Sequence, residues 1–326
     1  MQQVGFSRRK ILSVIGAGAL TSPLHAQPAY PSKAIRLVVP FSAGSASDIL
    51  ARSISDKLQI SLARPVLVEN RPGAGGTIAT GMVAKAEPDG HTLVVVSAGH
   101  VVNPSIYKTL GYDTLRDLSG VIPLASLPSV LVVPGASAWK SVADLTAAAR
   151  SSPGKLNFVS GGVGSASHVN AEKFCYAARV RVTHVPLKGA PEMAVEIASG
   201  RADFGFMPVI AALPALKDGR LKALAVSHDK RSSVLPDVPT IAEAGEPGGF
   251  FNFWIGLLAP SKTPRPIVQR LHMEIASIIK SPELAERYAR LGADVMDLSP
   301  DRFDALMAEE LQTLGAIMRA ANVKAE

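Results

Sequence analysis

The sequence contains few of the residues that form disulfides, stack on bases or carry charge. It has one cysteine in 326 residues, so no disulfide can form within the chain and stability must come from the hydrophobic core. Aromatic residues make up 5% and charged residues 19%, and the Lys and Arg residues form no cluster. This composition argues against a stacking surface for single-stranded nucleic acid and against binding of a polyanion. We therefore expect no nucleic-acid partner.

Sequence motifs of catalysis and of metal binding are also missing. Ser-x-x-Lys recurs in unrelated contexts, among them Ser137–Lys140, Ser152–Lys155 and Ser227–Lys230, and the partner motifs of serine acylases are absent. There is no Gly-x-Ser-x-Gly elbow, and no P-loop forms because Leu156 follows Gly154-Lys155. The histidines lack metal-ligand spacing, and Cys175 has no evident activating partner, which favours a buried structural thiol. We predict no enzyme activity, no metal and no cofactor; the alternative is a hydrolase that uses one of the Ser-x-x-Lys sites.

The length and the hydrophobic content describe a folded protein of two domains. Hydrophobic residues make up 47% of the chain, enough for a sizeable core. Because domains commonly have about 100–200 residues, 326 residues predict two of them. The formal net charge is +7, and three of the basic residues lie in the first 26 residues, which contain no acidic residue. The weak positive excess of the remainder suits a small anionic partner.

The N-terminus has the pattern of a secretory signal. Ser7–Lys10 is basic, Ile11–Leu20 is apolar, and small Ala26 precedes the predicted cleavage site. The apolar stretch is shorter than the about 20 residues that span a bilayer. Paired arginines after a serine resemble a twin-arginine export signal, but Ile11 stands where an aromatic is usual, so ordinary secretion stays the alternative. We predict a signal peptide over residues 1–26 and, without a nearby cysteine, no lipid anchor.

One tetrapeptide, Gly-Ser-Ala-Ser, occurs twice, 120 residues apart. Each copy lies between a predicted buried strand and a predicted helix. Further strands and helices follow in the same order in both halves of the chain. Alternating strands and helices predict an α/β fold with parallel-rich sheets and helices on both faces. The first copy is Gly44–Ser47, between Ile35–Pro40 and a helix from Asp48 to about Leu62; the second is Gly164–Ser167, between Leu156–Ser160 and a helix from His168 to about Ala178.

The two similar halves predict two lobes. Each half ends with one more strand, Val130–Pro134 and Phe253–Pro260, and each of these strands can cross into the sheet of the other lobe. The sequence does not establish that exchange. Three helices with good start signals then complete the first lobe. The predicted ranges are 27–126 and 251–326 for lobe 1 and 127–250 for lobe 2.

The two Gly-Ser-Ala-Ser loops are the candidate ligand site. The first turn of a helix exposes backbone N–H groups without a partner inside the helix, which attract a carboxylate or a phosphate. Open α/β sheets bind ligands at the carboxyl ends of their strands, so Gly44–Ser47 and Gly164–Ser167 can hold one small anion between the lobes. The alternative is that both loops are ordinary strand-to-helix connections, with Ser45, Ser47 and their counterparts as N-caps.

Several single residues add to this candidate site. Asp48 would repel an anion, so we interpret it as stabilising the helix start or a neighbouring loop. His168, at the equivalent position, either donates a hydrogen bond to the ligand or is a core or solvated histidine. A third loop after a predicted strand offers Ser97 and Asn103 as donors. Lys188 supplies a charge to the ligand or is simply solvated.

Several long motifs, in one order, resemble a known family. They resemble the periplasmic substrate-binding proteins of tripartite tricarboxylate transporters, also called Bug-type receptors, from about residue 30 to about residue 321. The resemblance implies a two-lobed, hinged fold of the type II periplasmic-binding-protein kind. It also implies a periplasmic receptor that captures a small organic carboxylate and delivers it to a membrane permease. The motifs are Val39–Phe41 with Gly44 and Asp48, Val68–Gly76, Pro88–Leu93, Pro153–Leu156, His184–Pro186 with Lys188-Gly189, and Leu235–Gly245.

The resemblance also implies a set of binding residues. In the family, the two loops that match Phe41–Asp48 and Ser160–His168 hold ligand carboxylates, partly through ordered water. Together with the donors named above, the candidate ligand-binding residues are Phe41, Ser42, Gly44, Ser45, Ser47, Ser97, Asn103, Ser160, Gly164, Ser165, Ser167, His168 and Lys188.

Three departures from the family pattern bear on the ligand. Ser45 stands where a second glycine is usual, Leu187 where a tyrosine is common, and Met207 where the residue is often polar. These changes predict a more apolar pocket wall on the second lobe. We therefore expect a mono- or dicarboxylate with an apolar or aromatic body, and not an amino acid or citrate. The expected partners are this ligand and the permease subunits, with the receptor a monomer; the alternative is a receptor that presents its carboxylate to a membrane sensor.

Overall fold

The computed structural model describes residues 1–2 and 30–324, so the predicted signal peptide falls almost wholly outside the described residues. The first lobe is built on a six-stranded sheet with the order β11-β4-β10-β3-β1-β2. Its strands are β1 (Ile35–Val39), β2 (Val66–Asn70), β3 (Thr92–Ser97), β4 (Leu118–Leu127), β10 (Phe253–Pro260) and β11 (Asp294–Val295).

The second lobe is built on a five-stranded sheet with the order β7-β6-β8-β5-β9. Its strands are β5 (Ser129–Pro134), β6 (Asn157–Ser160), β7 (Thr183–Pro186), β8 (Phe204–Pro208) and β9 (Leu221–Ser227).

Helices follow most of these strands. Among the described residues, none of the helices has the length and apolar composition needed to cross a membrane. The helices are α1 (Ala46–Leu62), α2 (Thr77–Ala84), α3 (Asn103–Ile106), α4 (Val142–Ser151), α5 (Ala166–Ala178), α6 (Ala190–Ala198), α7 (Val209–Lys217), α8 (Arg265–Ile279), α9 (Pro282–Arg290) and α10 (Pro300–Ala320).

The second sheet is covered on both faces, as alternate residues of β5 show. Leu131 and Val133 pack into a core with side chains of α4 and α5. Val130 and Val132 pack into a separate core with side chains of α6 and α7. Successive side chains of a strand point to opposite faces of the sheet, so one pair of helices lies on each face. The α/β prediction is therefore confirmed.

Two strands carry the chain between the lobes. β5, the last strand of the first repeat, pairs antiparallel with β8 and β9 in the second sheet. β10, the last strand of the second repeat, pairs antiparallel with β3 and β4 in the first sheet. The exchange of last strands, which the sequence left open, is thus present. The neighbouring pairs β1–β2, β1–β3, β6–β7 and β6–β8 are parallel, so both sheets are mixed.

The two repeated loops have nearly the same backbone. Gly44 and Gly164 adopt φ values of +79° and +81°, in the left-handed region that favours glycine. Ser45 (φ −68°, ψ 160°) and Ser165 (φ −66°, ψ 158°) are the N-caps of α1 and α5, and each side chain accepts a hydrogen bond from the amide three residues later. The N-cap interpretation is confirmed for these two serines. Both helices start two residues earlier than predicted, which brings the second serine of each loop into the first helical turn.

Candidate ligand-binding site

A cavity lies between the lobes, at the starts of α1 and α5. Its empty volume is about 380 Å³, part of it open to solvent. Residues from both Gly-Ser-Ala-Ser loops line it, so the two loops face one shared space. The first lobe contributes Phe41, Ser45, Ala46, Ser47, Ser97 and Phe253; the second contributes Gly161, Ser165, Ala166, Ser167, Gly189, Ala190, Met193 and Pro208.

The first loop presents hydrogen-bond donors to this cavity. Ser45 Oγ accepts from the Asp48 amide at 3.3 Å, which leaves the hydroxyl proton of Ser45 free to donate. The first hydrogen bond of the helix runs from Ile49 N to Ser45 O. The amides of Ala46 and Ser47 precede it, so they have no acceptor within the helix.

The second loop presents a similar set. Ser167 Oγ accepts from the Gly161 amide at 2.9 Å, and Ser165 Oγ accepts from the His168 amide at 3.4 Å. The two hydroxyls lie 3.1 Å apart, so one proton is shared between them and the other is free to donate. The amides of Ala166 and Ser167 again precede the first helical hydrogen bond.

A third helix start, which is not among the predicted site residues, borders the cavity. α6 begins at Ala190 after its N-cap Gly189, and both residues line the cavity. Gly189-Ala190-Pro191 is a recognisable helix start, because proline is favoured in the first helical turn. That local signal marks a helix, but the fact that the helix start faces the ligand cleft follows only from tertiary packing.

The apolar part of the wall comes from other residues than those predicted. Leu187 and Met207 are not among the residues that line the cavity. Met207 is fully buried in the second-lobe core. Because side chains alternate along a strand, the next residue of β8, Pro208, reaches the cavity in its place. The prediction that Leu187 and Met207 shape the pocket is therefore wrong, and Met193 supplies the flexible apolar side chain there.

The electrostatic character of the cavity is simple. None of the residues that line it in the described part of the chain has an acidic or basic side chain. Its polar groups are serine hydroxyls and backbone amides at helix starts, which donate hydrogen bonds. Helix N-termini also carry a partial positive charge. The cavity is therefore suited to an acceptor-only, negatively charged group, and the described residues that line it offer no acidic side chain to an ammonium group.

Asp48 stabilises the first loop from outside the cavity lining. Its Oδ2 accepts from the Gly44 amide at 2.9 Å, and its Oδ1 accepts from Arg52 Nε at 3.0 Å and from Asn70 Nδ2 at 2.9 Å. Burial acts to raise the pKa of Asp48, but the hydrogen bonds from Arg52, Gly44 and Asn70 outweigh it and lower the pKa. The structural interpretation of Asp48 is confirmed.

His168 holds the second loop in the same way. Its Nδ1 accepts from the Gly164 amide at 3.1 Å, and its Nε2 lies 3.5 Å from Glu172 Oε1. Its ring stacks on His184 with centroids 4.0 Å apart. Burial lowers the pKa of His184 to about 3, and the nearby His168 acts in the same direction. Ser160 Oγ lies 2.6 Å from His184 Nε2 and accepts from an amide of the loop, so it too supports the loop from behind.

Ser42 and Lys188 meet across the cleft beside the cavity. The Ser42 amide donates to the Lys188 carbonyl at 3.2 Å, and Ser42 Oγ donates to Glu192 Oε1 at 2.7 Å. The structure thus uses the backbone of Lys188 at this point.

Asn103 lines a narrow adjoining cavity together with Phe41 and Ser97. Of the thirteen candidate residues, six line the cavity at the starts of α1 and α5: Phe41, Ser45, Ser47, Ser97, Ser165 and Ser167.

Comparison with known proteins identifies the family. A family model described as "Tripartite tricarboxylate transporter family receptor" matches residues 50–323. The chain belongs to this receptor family. BugT of Bordetella pertussis (strain Tohama I) is a relative of the receptor, 32% identical over 323 residues that cover 97% of this chain and 98% of BugT. The family resemblance seen in the sequence is confirmed.

Solved structures of similar receptors have the same fold. R. palustris Rpa4515 with adipate superposes with a TM-score of 0.86 at 34% identity, over 90% of this chain and 98% of that one. MatC (Rpa3494) from Rhodopseudomonas palustris, with bound malate, superposes with a TM-score of 0.85 at 32% identity. The superposition covers 88% of this chain and 99% of MatC. The periplasmic-binding-protein fold is therefore confirmed. The receptor is a solute-binding protein, as predicted, and not an enzyme.

Proposed function

We propose that this receptor binds a small organic carboxylate between its lobes and delivers it to the permease of a tripartite tricarboxylate transporter. The observation that carries the proposal is a shared cavity with hydrogen-bond donors on both sides, whose lining by residues 30–324 includes no charged side chain. A carboxylate accepts hydrogen bonds only, so it matches every polar group there. Each helix start contributes about 0.3–1 kcal/mol when exposed and up to about 2 kcal/mol when partly buried.

The proposed ligand is a mono- or dicarboxylate with an apolar body. Phe41, Met193, Pro208 and Phe253 form the apolar part of the wall. An amino acid would leave its ammonium group without an acidic partner, which is unfavourable in a cleft that excludes water. The similar receptors described with adipate and malate support an organic acid.

The proposed contacts divide the candidate residues into two groups. Ser45, Ser47, Ser97, Ser165 and Ser167 donate to the carboxylate, and Phe41 packs against the body of the ligand. The other residues hold the loops or the lobes in place. They are Ser42, Gly44, Asn103, Ser160, Gly164, His168 and Lys188.

We also propose the domain limits, the location and the oligomeric state. Residues 1–26 act as the export signal, 27–126 with 251–326 form lobe 1, and 127–250 form lobe 2. The receptor works in the periplasm as a monomer. Cell fractionation of the wild type and of a variant with Arg8→Lys and Arg9→Lys tests the export route. Loss of export in the variant supports the twin-arginine route, and unchanged export supports ordinary secretion.

A thermal-shift panel of organic acids tests the ligand class. An acid at a hundred times its dissociation constant adds about 2.7 kcal/mol of stability. We expect a rise in melting temperature with mono- or dicarboxylates of apolar body, and none with amino acids of similar size. If no carboxylate raises the melting temperature, the proposal is wrong.

Capture from membranes tests the partner. Immobilised receptor, loaded with the best acid of the panel, should retain the permease subunits, and unloaded receptor should retain less. Retention of a sensor protein in place of the permease would support the signalling alternative and contradict delivery to a transporter.

A further inference from the structure

The two lobes contact each other at two edges of the cleft. On one edge, Ser42 meets Lys188 and Glu192, as described above. On the other edge, the Val163 carbonyl of the second ligand loop reaches the first lobe. Tyr107 Oη donates to this carbonyl at 2.7 Å. These contacts join residues of different lobes, so they exist only while the lobes are closed.

Gly75 makes room for the same carbonyl. A Cβ atom at Gly75 would lie 1.8 Å from Val163 O and 2.8 Å from its carbonyl carbon. Both are backbone atoms, which cannot turn aside as the end of a flexible side chain can. Any other residue at position 75 would therefore push the second loop away from the first lobe.

The hydroxyl of Tyr107 has a second acceptor within its own lobe. Its distance to the Ala74 carbonyl is 3.0 Å. A phenol has one proton, so it donates to one carbonyl at a time. When the lobes separate and Val163 moves off, the proton can turn to Ala74. The hydroxyl thus keeps an acceptor in both arrangements, and neither arrangement leaves it buried and unpaired.

We propose that Gly75 and Tyr107 form a latch for the Val163 carbonyl and thereby set ligand affinity without touching the ligand. Ligand binds tightly only to the closed state, so its apparent dissociation constant depends on how readily that state forms. The effect of this latch on affinity rests on the proposed function, because it requires that the ligand is bound between the lobes.

A cross-linking experiment measures closure without any ligand. Ser42→Cys with Gly189→Cys places the two thiols on the opposite edge of the cleft. The Ser42 Cβ lies 3.3 Å from a Cβ built at Gly189, close to the about 3.5–4.5 Å of a disulfide. Gly189 has φ 165°, an extended backbone that a cysteine adopts. Native Cys175 is buried and does not compete.

In this double-cysteine background, Gly75→Ala should slow disulfide formation at least about tenfold, in proportion to the population of the closed state. The control is Gly154→Ala. Gly154 has φ +77° and Gly75 has φ +59°, so alanine meets similar backbone strain at both, but a Cβ at Gly154 has no neighbour within 4 Å in the described part of the chain. Equal rates with and without the Gly75→Ala substitution would overturn the latch, and so would failure of the double-cysteine protein to cross-link.

Tyr107→Phe is a second variant, which keeps the ring and removes only the donor. It should slow cross-linking several-fold, and an unchanged rate would contradict the role of the hydroxyl. Calorimetric titration of otherwise wild-type protein with adipate and malate gives the second readout. Gly75→Ala should weaken whichever acid binds by at least about tenfold. If neither acid binds the wild type, the carboxylate proposal loses support, while the cross-linking rates still decide the latch.

Discussion

Asp48 and His168 hold equivalent positions in the two halves of the receptor and make the same contact. Each accepts a hydrogen bond from the amide of the glycine four residues earlier, at 2.9 Å from Gly44 N and 3.1 Å from Gly164 N. The contact is the same, but the charge differs. An ionised carboxylate stands beside the start of α1, and an imidazole stands beside the start of α5. Asp48 is paired with Arg52, whereas His168 lies 3.5 Å from Glu172 Oε1, so a carboxylate at position 168 would have no cationic partner.

The first prediction follows from that difference. His168→Asp should weaken binding of the best acid by about tenfold, because a charge near a partly buried helix N-terminus is worth up to about 2 kcal/mol. His168→Asn has the same shape without the charge and is the matched control, with affinity several-fold closer to wild type. Isothermal titration calorimetry measures both variants. Equal losses in the two variants would show that the shape of the histidine, and not the charge, matters.

The second prediction concerns the amide of Ser167, in the first turn of α5. Ser167→Pro removes this N–H and the hydroxyl and should abolish detectable binding, while circular dichroism stays unchanged because proline is tolerated in a first helical turn. Ser167→Ala removes only the hydroxyl and should weaken binding by roughly tenfold, the loss of about one hydrogen bond to a charged group. Unchanged affinity in Ser167→Pro would place the ligand elsewhere.

The third prediction separates the cavity wall from the core. Met193→Ala should destabilise the protein by about 2–5 kcal/mol. It should also weaken the binding of adipate more than the binding of malate, because adipate has the longer apolar body. Met207→Ala is the control, since Met207 is buried in the same core but does not line the cavity. It should lose similar stability without changing the ratio of the two affinities. Chemical denaturation measures the loss of stability, and calorimetry measures the two affinities. The same change in the affinity ratio in both variants would contradict the placement of Met193 in the cavity wall.

The fourth prediction concerns pH. Burial lowers the pKa of His100 from 6.5 to about 4, so this side chain is neutral in the folded protein where the unfolded chain is protonated. The contribution of this neutral side chain to the free energy of unfolding is complete above pH 6.5. It decreases as the pH falls from 6.5 to 4, by up to about 1.4 kcal/mol per pH unit.

His100→Leu removes that titration, so the free energy of unfolding of the variant should rise relative to that of the wild type as the pH falls from about 6.5 to about 4.5. The comparison of variants is essential, because burial raises the pKa of Glu310 to about 7 and this acts in the opposite direction. Parallel curves for wild type and His100→Leu would contradict the effect of burial.

Local features of the fold could be predicted from the sequence, and contacts made across the cleft could not. Ser45 and Ser165 were recognisable as caps because capping depends on neighbours within three residues. Gly189 and Phe253 reach the cavity through packing of segments far apart in the chain, which no local pattern records. Met207 was misplaced by one residue, since a single step along a strand decides between core and cleft. The exchange of strands between the two sheets also joins segments far apart in the chain, so no local pattern records it.

The strand exchange has one further consequence, for how the second lobe is attached. Leu127 at the end of β4 pairs with Phe253 at the start of β10, so the chain leaves the first sheet and re-enters it at one place. Just beyond, Ser129 pairs with Ser227 in the second sheet. The second sheet therefore lies between two places at which the chain crosses from one sheet to the other. Changes of backbone angle confined to these two crossings can move one lobe relative to the other while both sheets keep their hydrogen bonds.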